Sequence, residues 1–168
     1  MEQWEKMAKL VKEFYIVFGQ KEFLEKEMTE ERRHLRELLF TEEQLEYMKA
    51  EIENDSVGKL DAILDMYYIK IGTLLEENKG DTNKVSKIIF LNEDIEINEI
   101  WQLEVKNRFE EIIIEAFEEV HRSNMSKLDE NGEPVFYTKG SKKGKIGKSK
   151  LYKEPNLKQF VKRLEVGE

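Results

Sequence analysis

Proline is absent from the chain until Pro134. Nothing before that point carries the ring that removes a backbone donor and clashes with the preceding helical turn. Over the same stretch apolar residues recur every three or four positions, the spacing that lines one face of an α-helix. Trp4, Met7, Leu10, Val11, Phe14 and Phe18 follow this rule, and Gly19 is placed to end the helix they define. Thr29 reads as the cap of a second helix, with Glu30 and Glu31 in its first turn, where the helix dipole favours negative charge. That helix continues to about Glu53. Asn54-Asp55-Ser56 is a turn and cap signal, and a third helix follows from about Val57 to Glu77, stopped by Asn78-Lys79-Gly80-Asp81.

Residues 82–99 carry Val85, Ile88, Ile89, Phe90 and Leu91, a run compatible with a short helix or a strand. A long helix is expected from about Ile100 to Arg122. The prediction is an all-α domain over residues 1–137. Residues 138–150 are almost entirely Gly, Ser, Thr and Lys, too polar to bury a core. The expectation for residues 138–168 is therefore a flexible lysine-rich tail, with a short last helix around Asn156–Leu164.

The composition narrows the partners. Charged residues make up 38% of the chain and the net charge is −8, a balance that disfavours nucleic acid as a ligand. It leaves room for an anionic small molecule if a metal ion reverses the local sign. The chain has no cysteine, which excludes disulfides and thiolate metal sites. No stretch reaches the roughly 18 apolar residues of a spanning helix, so the expectation is no membrane partner and a cytoplasmic location.

The most informative residues are acids on helical stripes that otherwise look apolar. With Glu42 at zero and about 100° per residue, Leu35, Leu38, Leu39 and Leu45 fall within roughly 60° of it. Glu46 falls inside that stripe and Glu43 at its edge. In the third helix, Val57, Leu64, Tyr68 and Leu75 surround Asp61 and Asp65, one turn apart, while Lys59 and Lys70 fall on the opposite, solvent-facing side. An unpaired buried carboxylate costs on the order of several kcal/mol. Divalent cations, pairing with Arg32, Arg33, Arg36 or Lys49, or a shifted helical register would each resolve the conflict. Mg²⁺ suits the first solution because it prefers oxygen ligands and shares them with phosphates.

Glu42-Glu43-x-x-Glu46 followed by Asp61-x-x-x-Asp65 resembles the all-α NTP pyrophosphohydrolase superfamily, the MazG-like and phosphoribosyl-ATP pyrophosphohydrolase-like enzymes. Glu13-Phe14 to Phe18-Gly19 resembles the family's first helix. Glu31-Arg32 through Leu35-Arg36 and Leu38 resembles its second, and Leu60 to Tyr68 closing with Gly72-Thr73 its third. Glu119-Val120-His121-Arg122-Ser123-Asn124-Met125-Ser126-Lys127 resembles the end of the fourth helix in the dimeric dUTPase-like branch. The gap between the third and fourth of these segments is long, which implies an insertion at about 78–103. The tail matches only through Gly147-Lys148 and Tyr152-x-x-Pro155.

The resemblance implies a four-helix-bundle-like fold and a homodimer or homotetramer. It implies cleavage of a nucleoside triphosphate, dUTP foremost, between its α and β phosphates. Mg²⁺, with Mn²⁺ as substitute, would be held by Glu42, Glu43, Glu46, Asp61 and Asp65, and Glu43 or Glu46 would act as general base. Asn124 and Lys127, one turn apart, are candidates for the substrate's polar groups and phosphates, and Arg122 joins them as a candidate. Lys145 and Lys148 belong to a lysine-rich stretch that either closes over the triphosphate or is a solubilising loop. The competing reading is a non-catalytic helical protein that binds nucleotides or regulates a partner.

Overall fold

The computed structural model describes residues 1–91, 93–138 and 146–166, with the side chain of Trp101 also left undescribed. The chain is all-helical, and among the described residues there is no strand, only isolated bridges of Leu128 with Pro134 and Phe136 with Ile146. Helix α1 spans Glu2–Val17, α2 Glu30–Ile52, α3 Ser56–Glu77, α4 Thr82–Phe90, α5 Ile95–Ile100, α6 Ile113–Met125 and α7 Lys158–Val166. Side-chain caps set several starts: Thr29 accepts from the Arg32 amide, Asp55 from those of Val57 and Gly58, and Asp81 from that of Lys84. No described helix is long and apolar enough to cross a membrane.

Helix α3 is the axis of the fold. It packs against α1, α2, α4, α5, α6 and α7, and its interface with α2 is the most extensive in the molecule. Leu60, Ile63, Leu64, Met66, Tyr67, Ile71 and Leu75 are buried around it, so its apolar residues occupy more than one stripe.

The structure settles one open reading of the sequence and departs from several others. Residues 82–90, open between helix and strand, are helical. The helix expected over Ile100–Arg122 is broken: a widely wound π segment, Trp101–Phe109, is interrupted at Leu103 (φ −58°, ψ −112°), and α6 begins only at Ile113. The segment from 78 to 103 wraps the side of α3 expected to face water. Acids draw the lysines inward: Lys70 is held by Asp94 and Glu96 of this segment, and Lys59 is buried between Glu51 of α2 and Glu104, just past it. Charge pairing with other elements, absent from any single-helix view, thus replaced solvation.

The tail differs as well. Residues 146–166 pack on the helical body, with Leu157, Phe160 and Val161 in the common core. The Ser149 hydroxyl donates to the carbonyl of Leu128 (2.7 Å), and Gly147 N donates to Val135 O (2.6 Å).

Candidate functional site

The site lies on the α2–α3 hairpin. Asn54 adopts φ 54°, and Asp55 Oδ1 accepts from Val57 N and Gly58 N at 3.0 Å, which turns the chain back on itself at once. Glycine at 58 allows the close approach: a Cβ there would lie 3.1 Å from the Ala50 Cβ. Glu43 and Asp65 are equally far from Asn54 along the chain, so an antiparallel hairpin sets them opposite one another.

The inward face of α2 is not the one read from the sequence. Phe40 and Ala50 are buried, and Arg32, Arg33, Arg36, Leu39, Glu43 and Tyr47 half-buried. Leu35, Leu38 and Leu45 are exposed, together with Glu42 and Glu46. The face is therefore centred near Glu43, about 100° from Glu42. The leucines misled the assignment because polar side chains fill the interface instead. Arg32 pairs with Glu76 (2.7 Å), whose other contact is the Tyr15 hydroxyl (2.5 Å), and Arg36 Nε donates to the Thr73 hydroxyl (3.0 Å). Gly72 makes room for this network, since a Cβ there would sit 2.6 Å from Arg36 Nη2.

Glu43, Asp61 and Asp65 remain outside those pairings. Burial pushes the Glu43 carboxyl up to about 8, with Asp65, Glu46, Asp61 and Glu42 adding repulsion. Burial and Asp61 push Asp65 up to about 7, against the favourable charge of Lys127. Asp61 is raised by burial and by Glu46, Glu154 and Asp55. The acids of the two helices therefore share one electrostatic neighbourhood. Among the described residues Glu43 Oε2 is buried without a hydrogen-bond partner, a state that costs roughly 1–3 kcal/mol. No three histidine or acidic side chains among the described residues are already gathered to ligate one ion. The donor set is hard oxygen throughout, the chemistry that a divalent cation such as Mg²⁺ prefers.

Cations approach from the other side. Lys127 Nζ donates to Asn124 Oδ1 (2.6 Å). Burial lowers the Lys127 pKa, Asp65 favours its charge and Lys148 opposes it, so both lysines reach the acidic neighbourhood. Lys148 lies over the Tyr152 ring at 4.2 Å. With Val57, Asp61, Tyr152, Glu154 and Pro155 it borders a cleft of about 310 Å³. Arg122 is employed elsewhere: it grips Glu119 through two 2.8 Å bonds and donates to Glu154 O (3.0 Å), tying the tail to α6. Lys145 lies outside the described residues. Sequence reasoning passed over Glu154, although Tyr152-x-x-Pro155 brackets it. Tyr68 and His121, which carry no assigned role in the sequence reading, are hydrogen-bonded at 2.9 Å.

No protein family, curated protein or solved structure matches the chain.

Proposed function

We propose that the chain is a Mg²⁺-dependent nucleoside triphosphate pyrophosphohydrolase with the all-α fold its motifs resemble. The observation that carries this reading is the convergence of unpaired acids across α2 and α3, with a buried Glu43 oxygen left without a partner. A fold retains such a costly group where a ligand compensates for it. Glu43, Glu46, Asp61 and Asp65 would hold the ion, with exposed Glu42 at the margin. The ion would supply charge neutralisation at the phosphate oxygens and a more acidic water.

The chain's own groups do the rest. Lys127 presents its ammonium to the phosphates, and Asn124 holds that ammonium in place. Glu43 or Glu46 accepts the proton of the attacking water. Lys148 covers the cleft beside Asp61, where Tyr152 and Pro155 offer apolar surface to a nucleoside.

Self-association belongs to the same reading. Leu38, Leu45, Met48 and Ile52 are 49%, 60%, 58% and 80% exposed on the outer face of α2. Leu45 and Met48 border a groove of about 530 Å³ lined also by Phe40, Met66, Ile100 and Leu103. A helix that turns half-buried arginines inward and exposes leucines has a second apolar surface to cover, and a second copy of the chain is its proposed occupant.

The test is a panel of canonical and non-canonical triphosphates, dUTP included, with Mg²⁺ or Mn²⁺. Monophosphate and pyrophosphate are the expected products. Orthophosphate as first product refutes the bond assignment. Metal-dependent nucleotide binding without turnover establishes the non-catalytic alternative.

A further inference from the structure

Two hydrogen-bonded groups from three helices lie between the protein surface and the acidic neighbourhood. The Lys127 ammonium donates to Asn124 Oδ1 (2.6 Å). Burial raises the Tyr68 pKa, and hydrogen bonding from Asn124 opposes that rise. The Tyr68 hydroxyl lies 2.9 Å from His121 Nδ1, and His121 Nε2 lies 3.3 Å from Glu13 Oε2.

The ends dictate the direction of every link. An ammonium only donates and a carboxylate only accepts. Asn124, accepting through its oxygen, has its amide left to donate to the Tyr68 oxygen, the direction its lowering of the Tyr68 pKa requires. Tyr68 then donates to His121 Nδ1, and the neutral imidazole, protonated at Nε2, donates to Glu13. Burial holds the His121 pKa below its ordinary value, although Glu13 opposes it. The rings around the chain are packed: Tyr68 stacks on Phe117 (centroids 5.3 Å apart) and meets Phe14 edge-on (5.7 Å). A polar row threaded through an aromatic core has one arrangement in which all its members are satisfied.

We propose that His121 and Tyr68 are positioning residues that act through Asn124 to aim the Lys127 ammonium at the phosphates of the substrate. The proposal rests on the pyrophosphohydrolase reading for what Lys127 meets, but the chain itself can be tested without turnover. Neither residue touches the reacting atoms. Each fixes the orientation of the next, so that Lys127 stays beside Asp65 and does not swing into solvent.

Tyr68→Phe removes the hydroxyl and keeps the ring. The expected result is a KM for the triphosphate raised about 3–10-fold, the worth of one hydrogen bond, with kcat held within about twofold. His121→Ala should behave alike, and His121→Asn, whose amide oxygen stands where Nδ1 was, should recover part of the loss. Tyr68→Phe combined with Lys127→Met should be no worse than Lys127→Met alone. Independently of activity, acylation of Lys127 by acetic anhydride, followed by peptide mass spectrometry, should be faster in Tyr68→Phe than in the parent. A folded Tyr68→Phe protein with unchanged KM, additive effects in the double variant, or an unchanged Lys127 acylation rate overturns the proposal. If no triphosphate is turned over by the parent, the functional reading fails and the acylation rate alone decides the chain.

Discussion

Asp65→Asn should stabilise the metal-free protein while removing its response to Mg²⁺. The Asp65 carboxyl is pushed up to about 7 by burial and by Asp61, against an ordinary value of about 3.9. The folded chain therefore binds this proton more tightly than the unfolded chain. The penalty is absent below about pH 4, grows as the pH rises, and is complete above the folded value. At about 1.4 kcal/mol per pH unit the gap amounts to on the order of 4 kcal/mol. Side-chain rotation, entering water and the nearby Lys127 charge relax part of it, so a gain of about 1–2 kcal/mol is expected at pH 8. For a chain of this length that raises Tm by roughly 3–6 °C. Thermal unfolding in EDTA at pH 8 and pH 4 measures it, with the gain vanishing at the lower pH. Added Mg²⁺ should stabilise the parent and leave the variant unmoved. The reasoning is refuted by a variant no more stable than the parent at pH 8, or by a gain that persists at pH 4.

Three further outcomes are expected. Glu46→Gln should abolish pyrophosphate release and leave the circular dichroism spectrum unchanged, because Glu46 is exposed and supports no packing. Arg32→Ala should cost about 3–5 kcal/mol in urea unfolding, since it strands Glu76, whose side chain is 1% exposed, beside the Tyr15 hydroxyl. Leu45→Glu with Ile52→Glu should leave helicity intact and yield a monomer by light scattering, because both side chains point away from the chain's own core.

The candidate acids were legible because they interrupt a periodic pattern: Asp61 and Asp65 sit one turn apart among the apolar residues of α3. The face of α2 was not legible. Its leucines and its inward arginines follow overlapping helical spacings, and a wheel ranks residues by hydropathy alone. It cannot know that Glu76 and Thr73 wait on α3 to receive Arg32 and Arg36. Lys59 and Lys70 were misread for the same reason, their partners lying on other elements: Glu51 and Glu104 for the first, Asp94 and Glu96 for the second. The chain from Lys127 to Glu13 joins residues of α1, α3 and the end of α6, and no local pattern records it.

Local sequence thus determined α1, α2 and α3, the caps at Thr29 and Asp55 and the tight α2–α3 turn, since each depends on backbone preferences within a few residues. Tertiary structure alone decided which α2 face turns inward, where the buried charges find partners and how the tail reaches Asp61. Those outcomes depend on distances between residues far apart in the chain, and burial and charge act through space.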